Sequence, residues 1–176
     1  MGNAGSSPSL RAIGTLASFV AATSFGCAKK PVMHLNHAEV SGAQIATFPP
    51  SIGVLMTVVV DVHNPNGYDV AVRAMRGQVV MAGKFLLPID FRPGGDGVWL
   101  GSDRTTSVRV PVTIPVEIGI LLLRESAAYP VIVYRVTGRA DVTASRTFRF
   151  ESDDYSVDEQ GTITRDQIAA IIPHSL

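Results

Sequence analysis

The sequence predicts an all-β fold, an antiparallel immunoglobulin- or fibronectin-III-like β-sandwich of about seven strands with one inserted α-helix. Three observations predict it. Apolar residues alternate with a period of two through several stretches, turn-forming residues recur at roughly 10-residue spacing, and one segment between late strands carries helix formers instead. At 176 residues the chain suits one domain of ordinary size.

The first element is an apolar leader. Arg11 is the only early charge, and residues 12–25 carry none. Fourteen uncharged residues fall short of the roughly 20 needed to cross a bilayer, and fit a secretory signal peptide ending at residue 26. The sole cysteine, Cys27, stands directly after that run. It excludes a disulfide framework within the chain, and Gly26-Cys27 resembles the cleavage box of bacterial lipoproteins. That resemblance implies a lipid on Cys27, contact with a membrane through it, and a place in the bacterial cell envelope, on the outer membrane facing the periplasm. Ser24 and Phe25 depart from the usual residues of that box. Residues 27–32 then read as a short tether.

Strands follow. From Ser51 to Asn64 one face carries Ile52, Val54, Met56, Val58, Val60 and Val62, and the other passes from Leu55 and Thr57 to Asp61 and His63. This is an interior strand whose far end emerges into solvent. Asn64-Pro65-Asn66-Gly67 stops it, because proline lacks a ladder donor and Asn-Gly tolerates positive φ. Tyr68, Val70 and Val72 alternate inward next, and residues 77–87 form a further apolar stretch. Residues 92–97, Arg-Pro-Gly-Gly-Asp-Gly, compose a loop. Residues 105–114 alternate strictly through Val108, Val110, Val112 and Ile114. Pro115 opens a helix to Ala128. Strands over residues 131–144 and 146–151 place Tyr134, Val136, Ala140, Val142, Phe148 and Phe150 in the core. Residues 152–160 read as an exposed acidic loop. Thr164-Arg165-Asp166-Gln167 has capping-box spacing ahead of Ile168, which predicts a short C-terminal helix within residues 165–176.

Charge narrows the function classes. Fifteen basic residues balance fifteen acidic ones, which excludes nucleic acid as a main partner. The balance is uneven: residues 27–150 carry 13 basic and 9 acidic groups, whereas residues 151–176 carry 1 and 6. No cofactor motif, phosphate-cradling loop or catalytic triad spacing is present, so no catalytic residue is assigned and an enzyme is not expected. His34 and His37, three apart in a strand, point to opposite faces unless the strand bends, and no metal site is expected. The helix residues Ile118, Ile120, Leu121 and Leu122 either plug one end of the sandwich or line a hydrophobic groove.

Val58 to Asn66, ending Asn64-Pro65-Asn66, resembles the core strand and turn of the WHy (water stress and hypersensitive response) domain of the group 2 late embryogenesis abundant proteins. Residues 104–112 resemble that domain's valine strand, 115–128 its helix, and 134–142 and 148–150 its later strands. The resemblance spans residues 33–164 and implies a small antiparallel sandwich with a role in water or desiccation stress, acting by binding or shielding envelope components. Two other roles fit the residues: a carrier of lipid or another hydrophobic ligand under the helix, and a scaffold binding other envelope proteins.

Overall fold

In a computed structural model the structure describes residues 29–47, 50–144 and 151–172. The leader, Cys27, Phe148 and Phe150 lie outside these residues. Among the described residues eight strands and two helices follow in order: β1 (Val32–Thr47), β2 (Pro50–Asn64), β3 (Val70–Met81), β4 (Phe85–Phe91), β5 (Val98–Leu100), β6 (Arg104–Pro115), α1 (Val116–Glu125), β7 (Val131–Ala144), β8 (Glu151–Thr164) and α2 (Arg165–Ala169). Two antiparallel sheets face each other. One has the order β1-β2-β6; the other has β4-β3-β7-β8, with short β5 also on β3.

The period-two pattern explains the core. In β2, Val54, Met56, Val58, Val60 and Val62 are buried, as are Val108, Val110, Val112 and Ile114 of β6 beside them. They meet Val70, Val72, Val79, Met81, Tyr134, Val136, Ala140 and Val142 from the second sheet. Fully burying a valine contributes about 1.5 kcal/mol or more, so the valine ladders are the main driving force for closing the two sheets. Ile52 stays exposed near the end of its strand, and Tyr68, expected inward, points outward beyond the turn.

The apolar stretch from 77 to 87 is two strands. Ala82 and Gly83 both have positive φ (49° and 70°), and the Lys84 N–H donates to the Met81 carbonyl at 3.0 Å, closing a tight turn of three residues between the paired Met81 and Phe85. The stretch from 152 to 160 is likewise a strand and not a loop. At this sheet edge Asp158 takes a bidentate bond from Arg135 of β7 (both 2.6 Å). Glu159 reaches across to the other sheet, accepting from the Leu35 N–H (2.7 Å) and bonding His34 Nδ1 (3.0 Å). Acidic residues thus close one side of the sandwich.

The helices seal one end. In α1, Leu122 and Gly119 face the core, and the helix stops at Glu125, where the Ser126 hydroxyl donates to the Leu122 carbonyl at 2.6 Å. The Thr164–Gln167 capping box forms and starts α2. Ile172 then rests so close over Gly119 that a Cβ there would lie 2.7 Å from its methyl, so a helix-weakening glycine serves close packing.

Gly77 and Gly138 face each other across β3 and β7, and a Cβ at Gly77 would collide with the backbone of Thr137 and Gly138. Backbone cannot swing aside as a side chain can. Gly77→Ala is therefore expected to cost about 1–3 kcal/mol in urea unfolding. Gly42→Ala, which meets open space, is expected to change stability by no more than about 0.5 kcal/mol.

Candidate functional site

The Asn64-Pro65-Asn66 turn is a buried hydrogen-bond hub. Asn64 is completely buried and Asn66 nearly so. The Asn64 amide nitrogen donates to the carbonyls of Tyr68 (2.8 Å), Leu100 (3.2 Å) and Gly101 (3.2 Å). Its oxygen accepts from the Asn66 backbone N–H (3.1 Å) and side-chain amide (2.9 Å). Two amide protons thus serve three carbonyls from two loops. Removing the side chain would strand several buried groups, each costing about 1–3 kcal/mol. A short amide is what the position needs, and no apolar residue can replace it.

Asn66 adds a long-range connection. Its oxygen accepts from the Lys29 N–H at 2.7 Å and its amide donates to the Lys29 carbonyl at 2.8 Å. Lys29 lies in the segment read as a short tether, yet it is bonded to the turn through both backbone groups, and Pro31, two residues on, is buried. The chain is gripped two residues after Cys27.

The helix residues do not converge on one groove. Leu122 is buried in the core and Ile118 half-buried, whereas Ile120 and Leu121 lie outward, 41% and 43% exposed. At 100° per residue these two fall on the solvent arc of the helix. The space between the sheets around Met33, Val58, Val136 and Val157 is about 20 Å³, enough for no more than a single water-sized void. Near α1 there is an open groove of about 410 Å³, lined by Leu122, Tyr129, Val131 and Val133 among others. Tyr129, Val131 and Val133 are all exposed, so apolar surface gathers at the helix end of the molecule.

The outer face of β1-β2-β6 was not legible as a unit in the sequence. A β-bulge between Leu35 and His37 supplies the bend that puts His34 and His37 on one face. The two imidazoles serve different carboxylates, His34 bonding Glu159 and His37 Nε2 bonding Glu39 at 2.8 Å. Around them runs a continuous network: Asn36 and Ser107 donate to Asp61 (2.7 and 2.6 Å), His37 bonds Asn36 (2.8 Å), and Arg109 donates to Glu39 (3.1 Å). The Ser107 and Asn36 bonds hold the Asp61 carboxyl below its ordinary range, and the His37 and Arg109 bonds do the same for Glu39. Among the described residues, no group of three His, Cys, Asp or Glu side chains is placed to hold a metal ion. The Asp61 and Glu39 carboxylates each accept from neighbouring side chains, so the face presents polar groups held in fixed positions at the surface.

No protein-family model matches the chain, and no curated protein matches it. Solved structures do. One, a solution structure named as a late embryogenesis abundant (LEA) protein, superposes with a TM-score of 0.50 at 17% identity, covering 77% of this chain and 71% of that one. A protein from Arabidopsis thaliana gives 0.47 at 17% identity over 76% and 83%. A protein from Archaeoglobus fulgidus gives 0.43 at 11% over 74% and 97%. By the first of these likenesses the chain has a LEA-like fold, an antiparallel sandwich of the class that its strand pattern and Asn-Pro-Asn turn resemble.

Because the folded-state titration of Asp61 is depressed, its hydrogen bonds favour the folded protein above the ordinary carboxylate range, and that contribution fades as pH falls through the lowered value. Carboxyl-carbon NMR of Ser107→Ala is expected to show the Asp61 midpoint moving up toward the ordinary range. The midpoint of Asp158, held down by Arg135 on the other sheet, is expected to stay where it is.

Proposed function

We propose that this protein is a non-enzymatic, lipid-anchored envelope protein of bacteria whose LEA-like sandwich binds or shields envelope components when water is scarce. The observation that carries the reading is the outer face of β1-β2-β6, where Asn36, His37, Glu39, Asp61, Ser107 and Arg109 hydrogen-bond side to side. A rigid array of amide, hydroxyl, imidazole and carboxylate groups offers replacement hydrogen bonds to polar surfaces that are losing their water. The anchor is Cys27, which follows an uncharged run and stands two residues before the gripped Lys29. Several acyl chains on one cysteine would bind firmly, at about 0.8 kcal/mol per buried methylene. The outer membrane, facing the periplasm, is the compartment this anchor implies.

The test has two readouts. Mass analysis of the native protein is expected to find an acylated Cys27 as first residue; an unmodified thiol would sink the anchor. Phospholipid vesicles dried and rehydrated with the protein are expected to retain entrapped dye better than vesicles dried with an equal mass of another globular protein. The variant Glu39→Ala/Asp61→Ala/Arg109→Ala is expected to lose that advantage. Equal retention in all samples would remove the shielding role.

A further inference from the structure

The grip on Lys29 has a geometric consequence, which rests on the anchored reading above. Cys27 and Lys29 are two Cα steps apart, so no more than about 7 Å of chain separates them. A headgroup layer is itself about 5–8 Å deep. A lipid on Cys27 would therefore leave no slack: the end of the sandwich that holds Lys29 must lie at the membrane surface. If the segment were a free tether the domain could tumble, but both backbone groups of Lys29 are bound by Asn66.

The residues at that end suit an interface. Tyr68, immediately past the turn, is 39% exposed, and the chain's only tryptophan, Trp99, pairs with Ala71 in the same end of the second sheet. Tyrosine and tryptophan favour the headgroup level, where one side of the ring is apolar and the other wet. Arg92 is paired with Asp90 at 3.2 Å, and Lys29, Lys30 and Arg104 are interspersed with Asp69, Asp96, Asp103 and Glu151 in the surrounding loops and strand ends, so this end is near neutral and the anchor, not charge, seats it. The exposed apolar residues Tyr129, Val131 and Val133 lie at the opposite end. β2 runs from Asn64 at the turn to Gly53 beside Pro115, where α1 begins; at about 3.3 Å per residue the two ends are about 35 Å apart.

We propose that the Asn64-Pro65-Asn66 turn is a docking clamp that seats this end of the sandwich on the headgroups of the membrane carrying the Cys27 lipid, and holds the helical end away from it. The clamp orients the domain as well as stabilising it.

Trp99 provides the probe. The full chain is coupled through Cys27 to a maleimide-phospholipid and inserted in phosphatidylethanolamine–phosphatidylglycerol vesicles bearing nitroxide-labelled headgroups. The Trp99 fluorescence is expected to be strongly quenched. In Trp99→Phe/Tyr129→Trp the single indole, at the far end, is expected to be quenched little. Asn66→Ala, or a flexible ten-residue Gly-Ser spacer inserted between Ala28 and Lys29 that leaves the fold untouched, is expected to bring the two positions toward equal quenching. Stronger quenching at position 129 than at Trp99, or Trp99 quenching that the spacer does not change, would overturn the proposal. Because the lipid is attached chemically, a native Cys27 found unacylated would remove the anchored reading without deciding the orientation that the quenching measures.

Discussion

A single buried amide, that of Asn64, joins the end of one sheet to two loops of the other. It ties the end of β2 to the carbonyls beyond β5 and before β3, and through Asn66 it reaches the first described residues of the chain. Valine ladders drive the two sheets together, but hydrophobic burial is non-directional and does not decide how loops cross the open end of a sandwich. Hydrogen bonds to buried carbonyls do, since each loop must satisfy its polar backbone atoms or leave the interior. The hub therefore specifies the arrangement of one end, while α1 and α2 close the other by packing.

Polar side chains divide the surface in a corresponding way. On the outer face of β1-β2-β6 they bond to each other and leave a broad fixed array. On β8 they bond across to Arg135 and to β1 and close the sheet edge. A bare edge strand would invite pairing with another chain, and Glu159 occupies the Leu35 N–H that such a partner would seek. The near-zero net charge thus arises from a basic body and an acidic segment that meet in the fold, through Arg135–Asp158 and His34–Glu159.

Much of this architecture was legible because strand burial has a period of two. β2, β6 and β7 follow their alternation, and the Thr164–Gln167 capping box marks its helix to the residue. The Asn64-Pro65-Asn66 turn was legible as a turn, but its partner Lys29 was not, because a bond across 37 positions leaves no local pattern. β8 was missed because acidic residues read as solvated loop, and their partners on β1 and β7 lie far away in sequence. The hairpin at Ala82-Gly83 was missed because alanine is an unusual residue at positive φ. Ile120 and Leu121 read as groove residues from composition, yet helix geometry turns them to solvent while Leu122 enters the core. The polar face depended on the bulge at Asn36, which no spacing rule anticipates.

The central claim is that Asn66 holds the chain just after Cys27, and amide hydrogen exchange tests it at one atom. The Lys29 N–H should exchange slowly in the full chain, with protection comparable to the ladder amides at the end of β2. Asn66→Ala should release Lys29 while the amides of Val58, Val60 and Val62 remain protected. A Lys29 amide that exchanges at the rate of an open peptide in the unaltered protein would contradict the account.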